Sequence, residues 1–127
     1  MASRIEIQPG ADGLPYSIIS VTGELDLSAA SVFSEVLRRA GEQHPGGVLI
    51  DLSNCGFIDS TGISLLLNTS RRQTRAREGM AVVCPNPTPH RVFEITGTIG
   101  TLNVVGDYTE AERAIERSKE TLGQAGD

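Results

Sequence analysis

The sequence predicts a single α/β domain with a mixed, mainly parallel sheet and about four helices. Apolar or alternating segments lead the chain, and further on they alternate with segments of helical periodicity, as in βαβ units. The 127 residues suffice for one core of ordinary size and contain neither an internal repeat nor a long linker. We therefore expect one domain over residues 4–122 and a flexible tail over residues 123–127.

Two strands and a helix are predicted for the first third of the chain. Ile5 and Ile7 alternate with polar neighbours, which indicates an edge strand with one buried face. Residues 16–21 are rich in β-branched and aromatic side chains, which favours a buried strand, and residues 23–27 should interrupt the chain before a helix capped by Ser28. The inward positions of this helix recur at helical spacing and are Ala29, Phe33, Val36, Leu37 and Ala40.

The centre of the chain carries the most informative pattern. Residues 48–52 form a short apolar run around Asp51, which is typical of a buried parallel strand. A polar turn follows, and a helix is predicted from about Ser60 to Ala76. The strand therefore delivers a hydroxyl and a carboxylate to a helix N-terminus, where backbone amides point at negative charge. The expected inward positions of the helix are Ile63, Leu66, Leu67 and Ser70.

The last third predicts two more strands and two more helices. Residues 80–84 indicate a short buried strand, and residues 102–105 a final one. Between them, Pro89 suits the first turn of a helix that Gly97 can end. Asp107 and Glu110 have the spacing of a capping box before the last helix. The inward positions of that helix are Ala111, Ala114, Ile115 and Leu122.

Composition limits the classes of function. The net charge of -5 argues against direct binding to nucleic acid, which relies on clustered cations. No apolar run approaches the roughly 18 residues of a membrane helix, and the N-terminus lacks a secretory stretch, so we expect a cytoplasmic protein without membrane contact. The sequence leaves the oligomeric state open, and a monomer is the default expectation. Cys55 and Cys84 lack the spacing of a zinc site. We interpret them as reduced thiols, with a redox-sensitive disulfide as the minor alternative, and expect no cofactor or metal.

Ser60 has three candidate roles at the strand-to-helix turn: a helix cap, a nucleophile or a site of phosphorylation. Either Asp59 or Ser60 could accept the amide of a residue two or three positions along, which contributes about 1 kcal/mol. A nucleophile elbow requires G-x-S-x-G, whereas Ile58 stands where the first glycine should be. The candidate bases, His44 and His90, cannot be placed near Ser60 from the sequence. The pattern therefore disfavours a hydrolase.

Three segments together resemble the STAS domain of bacterial anti-sigma factor antagonists. They are Gly23-Glu24-Leu25-Asp26, Val48-Leu49-Ile50-Asp51-Leu52-Ser53 and Phe57-Ile58-Asp59-Ser60-Thr61-Gly62. Thr96-Gly97 and the strand and helix after it are similar to the end of the same domain, so the resemblance extends from about Ile5 to Leu122. It implies the STAS fold.

The resemblance also implies partner switching. Members of the family bind an anti-sigma factor, often a serine kinase that holds ATP and Mg²⁺ itself, and so release the sigma factor. The kinase phosphorylates a serine that corresponds here to Ser60, and a PP2C-type phosphatase removes the phosphate. Glu24, Asp26, Asp59, Ser60, Thr61 and Gly62 would form the partner-binding surface. The chain would then be a substrate and a ligand, not an enzyme.

Two alternatives share the fold, and a third does not. A scaffold STAS domain would carry such a turn without releasing a sigma factor. A transport-associated STAS domain would dock on a transporter ATPase and need no phosphorylation. A small serine hydrolase, the distant alternative, would lose activity with Ser60→Ala.

Overall fold

One sheet lies between helices in the parts of the chain that the computed structural model describes, which are residues 4–8, 16–43 and 46–125. In chain order the elements are β1 (Arg4–Gln8), β2 (Ser17–Leu25), a 3₁₀ turn (Leu27–Ala29), α1 (Ala30–Gln43), β3 (Gly47–Ile58), α2 (Ser60–Arg75), β4 (Gly79–Val83), α3 (Pro87–Thr96), β5 (Val104–Val105) and α4 (Tyr108–Ala125).

The five strands lie in the sheet in the same order as in the chain. β1 is antiparallel to β2, and the other neighbouring pairs are parallel, which confirms the mixed, mainly parallel sheet. The connections α1, α2 and α3 contribute Phe33, Leu66 and Phe93 to the larger core cluster. α4 follows β5 and packs Ala111 and Ile115 into a second cluster with Leu49 and Ala81. Each face of the sheet therefore has its own core.

β3 is much longer than the predicted strand over residues 48–52, because it continues through the polar residues to Ile58. Its pairing with β2 shifts twice, once between Ser20 and Thr22 and once between Gly23 and Glu24. At each shift β3 carries one residue more than β2, which is the arrangement of a β-bulge. The bulges break the alternation of buried and exposed side chains, so the second half of the strand does not look like a strand in the sequence.

Two predictions for the segment after β2 were wrong. Residues 23–25 do not interrupt the chain but extend β2 to Leu25, because they pair with the far end of β3. The N-cap of the following turn is Asp26 and not Ser28. The Asp26 Oδ1 atom accepts the Ser28 amide at 3.1 Å and the Ser28 hydroxyl at 2.6 Å, so Ser28 serves as a donor.

The last third differs from the prediction in two details. β5 comprises Val104–Val105 and not residues 102–105, because Asn103 adopts a positive φ of 51° that ends the extended run. The Asp107 carboxylate accepts the Glu110 amide at 2.8 Å as predicted, but the Glu110 carboxylate returns to the Gly106 amide at 3.1 Å, one residue earlier than in a capping box. The helix after Pro85 begins at Pro87, with Asn86 as its cap.

The predicted inward helix positions are largely confirmed. Ala29, Phe33, Leu37 and Ala40 are buried, as are Ile63, Leu66, Ala111, Ala114 and Ile115. The predicted position Leu122 and the turn residue His44 lie outside the described side chains. α4 extends to Ala125, and the expected tail stays a prediction. No helix in the described residues is long and apolar enough to cross a membrane.

Candidate functional site

The two motif segments, separated in sequence, meet at the carboxyl edge of the sheet. Leu25 pairs with Ile58 because β2 and β3 are parallel neighbours that end at the same level. Asp26 follows the first strand and Asp59 the second, so both carboxylates leave the sheet side by side. The Asp59 amide also donates to the Leu25 carbonyl at 3.3 Å. The carboxyl ends of parallel strands are a frequent place for binding sites in such sheets.

Asp59 is the N-cap of α2 and also joins the two loops. Its Oδ1 atom accepts the amides of Thr61 at 2.9 Å and of Gly62 at 3.1 Å. Its Oδ2 atom accepts the amide of Leu27 at 3.2 Å, across the boundary between the loops. The carboxylate thus satisfies three backbone donors at once, two of which the start of a helix leaves without partners. Of the two candidate caps in the sequence, Asp59 is the one that the structure uses.

Ser60 is the first residue of α2, and its side chain is exposed. Within the described parts of the chain its hydroxyl makes no hydrogen bond. Thr61, the next residue, is half-buried. The serine hydroxyl is therefore open to solvent and has no structural role in the turn.

Gly62 lies under the turn and not on its surface. A Cβ atom at this position would come within 2.7 Å of the Leu25 carbonyl oxygen and 2.8 Å of the Ile58 Cγ1 atom. The sequence suggested that glycine here permits the close approach of another backbone, and that backbone is the chain's own β2. Gly62 is buried, so its membership of a partner-binding surface stays a prediction.

The acidic residues of the first loop stand beside the turn. Hydrogen bonds from Ser28 and from backbone amides hold the pKa of Asp26 below its usual range. The carboxylate is therefore charged at neutral pH. Glu24 is half-buried and lies opposite Phe57 in the β2–β3 register. With Asp59, the carboxyl ends of β2 and β3 carry three carboxylates at the edge of the sheet where α2 begins.

Two apolar residues beside the turn were not among the predicted site residues. Leu27 is 73% exposed and Phe57 is 44% exposed, although both adjoin the Asp59 cap. The nearby shift in register between Gly23 and Glu24 sets the direction of Phe57. Gly23, which lies opposite Cys55 just before the shift, and Gly56, the extra residue of the bulge, are the signal in the sequence that could have indicated this bulge.

The cysteines and the described histidine lie in other surroundings. Cys55 and Cys84 are buried free thiols. Burial, with the neighbouring Cys55 as a smaller cause, raises the pKa of Cys84 to about 12, and burial also raises the pKa of Cys55. Thiols of this kind react slowly. His90 pairs with Glu94 at 2.9 Å on α3, and no cluster of metal-ligating side chains occurs in the described residues.

Comparisons with known proteins agree with this fold. The STAS domain family matches residues 3–111 of the chain. The anti-sigma-B factor antagonist of Staphylococcus aureus strain NCTC 8325 is 29% identical over 94 residues, which cover 74% of this chain and 86% of the relative.

Two solved structures share the architecture. An anti-sigma factor antagonist from Mycobacterium paratuberculosis superposes with a TM-score of 0.79 at 24% identity, over 91% of this chain and 95% of that chain. The Bacillus cell fate determinant SpoIIAA in its phosphorylated form gives a TM-score of 0.59 at 24% identity, over 91% and 98% of the two chains. At these sequence identities the superpositions show only that the fold is shared. Membership of the family is shown by the match of the STAS domain model to most of this chain. The chain belongs to the STAS domain family.

Proposed function

We propose that this chain is an anti-sigma factor antagonist that binds its anti-sigma factor through the turn around Ser60, and that phosphorylation of Ser60 abolishes this binding. The observation that carries the proposal is the exposed Ser60 hydroxyl, which makes no hydrogen bond in the described structure and stands next to the capping carboxylate of Asp59. The name of the staphylococcal relative and the phosphorylated form of SpoIIAA support it.

Phosphorylation of Ser60 should leave the folded structure of the turn unchanged. Asp59 caps α2, so a phosphate on Ser60 removes no hydrogen bond on which the turn depends. The same two bonds occupy the amides of Thr61 and Gly62. A phosphate therefore finds these donors already engaged, and its charge remains at the surface.

Electrostatics then explain the switch. A phosphoserine adds about -1.5 to -2 charges at pH 7, here beside the carboxylates of Asp59 and Asp26. A partner surface that accommodates a neutral hydroxyl would have to desolvate this charge or repel it. A penalty of about 3 kcal/mol would weaken binding roughly a hundredfold, which suffices to exchange one partner for another.

The partner supplies the chemistry in this proposal. The anti-sigma factor is a serine kinase that holds ATP and Mg²⁺, and a PP2C-type phosphatase restores the free hydroxyl. The chain itself is the substrate and the ligand. The hydrolase alternative lacks support, since no base bonds to Ser60 in the described residues and His90 is paired on α3.

The experiment incubates the purified chain with each purified anti-sigma kinase of its source organism and with Mg-ATP. Intact mass and peptide mapping should show one phosphate on Ser60. Ser60→Ala should resist phosphorylation and stay bound, whereas Ser60→Glu should fold but bind about a hundredfold more weakly.

Thr61→Val is the matched control, because it removes the neighbouring hydroxyl and should still accept one phosphate. Phosphate on Thr61, or on neither residue, would contradict the assignment. Binding to a transporter ATPase with no phosphorylation by any kinase would favour the transport-associated alternative.

A further inference from the structure

We infer that Leu27 and Phe57, here called the apolar pair, are the anchors by which this chain docks into an apolar socket with a basic rim on the anti-sigma factor. The inference rests on the proposed function and deepens it. It assigns affinity to the apolar pair and switching to Ser60, so different side chains carry the two properties.

The apolar pair stands beside the switch. Among the described residues, the exposed large apolar side chains are Leu27, Val32, Phe57, Ile95 and Tyr108. Leu27 donates its amide to the Asp59 Oδ2 atom at 3.2 Å, and Phe57 precedes Asp59 by two positions in the chain. Both anchors therefore adjoin the residue that caps the helix beginning at Ser60.

The exposure of Phe57 follows from a bulge in the sheet. The β2–β3 register passes from Gly23 opposite Cys55 to Glu24 opposite Phe57, which leaves Gly56 as an extra residue. With strict alternation Phe57 would share the face of the buried Cys55, since side chains two apart lie on one face. The bulge instead places Ile58 in the core at 1% exposure and leaves Phe57 44% exposed. Bulges of this kind redirect side chains next to functional sites.

The turn that presents Leu27 is already ordered. Leu27 begins the 3₁₀ turn, and Asp26 holds this turn through the Ser28 amide at 3.1 Å and the Ala29 amide at 3.0 Å. Ala29 is 6% exposed and fixes the end of the turn to the core. An apolar side chain on an ordered backbone loses little conformational entropy when it is buried in an interface, so little binding energy is spent on ordering it.

Charge defines the rest of the partner surface. Glu24 lies opposite Phe57 in the β2–β3 register, Asp26 precedes Leu27 in the chain, and Asp59 accepts the Leu27 amide. The chain as a whole carries a net charge of -5. A complementary surface has an apolar socket surrounded by Arg or Lys, which matches the apolar centre and polar rim of known interfaces. A phosphate on Ser60 would stand next to this dry centre, where a charge costs most.

The test measures binding to the purified anti-sigma kinase that phosphorylates Ser60, by calorimetry with unphosphorylated protein. Leu27→Ala and Phe57→Ala should each weaken binding about tenfold or more, as truncated anchors do. Ile95→Ala is the matched control, since Ile95 on α3 has the same 73% exposure as Leu27, and it should change the affinity less than twofold. Thermal unfolding checks that each variant is folded.

The Ser60→Glu variant, measured alongside, separates the two proposals. If Ser60→Glu loses binding while Leu27→Ala and Phe57→Ala keep it within twofold, the apolar pair is not the anchor and the proposed function stands. An equal loss with Ile95→Ala would also overturn the assignment of affinity to the apolar pair. If the wild-type chain binds no anti-sigma kinase, the proposed function fails, and this inference fails with it.

Discussion

Leu27 and Asp59 lie 32 positions apart in the chain, and a hydrogen bond of 3.2 Å from the Leu27 amide to the Asp59 Oδ2 atom joins them. The bond connects the loop after β2 to the start of α2. It places an exposed leucine and a carboxylate at fixed positions next to Ser60. The geometry of the candidate site thus depends on Asp59, which was one of the two possible caps predicted from the sequence.

Replacing Asp59 by alanine should destabilise the protein by about 1–2 kcal/mol, because the amides of Thr61 and Gly62 lose their acceptor. Urea unfolding followed by circular dichroism measures this. Ser60→Ala is the matched control and should change the free energy of unfolding by less than about 0.5 kcal/mol. A larger loss of unfolding free energy for Ser60→Ala than for Asp59→Ala would show that Ser60, and not Asp59, caps the helix.

Gly62→Ala should destabilise the fold by roughly 1–3 kcal/mol, since overpacking against a backbone cannot relax by a rotamer change. The new Cβ would approach the Leu25 carbonyl oxygen to 2.7 Å. Gly100→Ala is the control, because nothing lies within 4 Å of a Cβ there. Equal midpoints for the two variants in urea would contradict the close approach of β2 and α2.

The thiols should resist alkylation in the folded protein. With the pKa of Cys84 raised to about 12 by burial, the thiolate is a very small fraction at pH 8, and Cys55 is also shifted upward. Iodoacetamide followed by mass spectrometry should label neither cysteine in native protein and both in denaturant. Rapid labelling of the folded chain would contradict this prediction and would favour a redox-sensitive role for Cys55 and Cys84.

Acid should weaken the turn at Asp26. Its pKa is lowered in the folded state, chiefly by the Ser28 hydroxyl, so the unfolded state binds the proton more tightly. The contribution to stability is therefore present above the ordinary Asp pKa of about 3.9 and lost as pH falls through the lower folded value. Asp26→Asn should flatten the dependence of unfolding free energy on pH in this acidic range. An unchanged slope would mean that the carboxylate contributes nothing there.

The order of the elements and the parallel core could be predicted because they depend on periodicity. The buried residues Phe33, Leu66 and Ile115 recur at helical spacing, and the run around Leu49 is almost wholly apolar. The Ser60 turn was found through its motif.

What escaped prediction depends on contacts between distant segments. The bulge at Gly56 arises from the pairing of β3 with β2. It breaks the alternation of buried and exposed residues beyond Leu52, so neither the second half of β3 nor the exposure of Phe57 could be recognised from a period of two in the sequence. The choice of Asp26 over Ser28 as a cap follows from dihedral angles, since Asp26 is extended at φ −119°. Both residue types are good caps, and composition does not rank them.

The strand order β1-β2-β3-β4-β5 has a consequence for synthesis on the ribosome. Each strand after β1 pairs with the strand that precedes it in the chain, so its partner has already left the exit tunnel when the strand itself emerges. The hydrogen bond between the Leu27 amide and the Asp59 carboxylate needs only β2, β3 and the start of α2. It can therefore form while the segment from β4 onward is still being translated. Nascent chains stalled behind a C-terminal linker that fills the exit tunnel, so that Arg75 lies outside the ribosome, and probed by limited proteolysis would show a protected Ser60 turn if assembly is vectorial in this way.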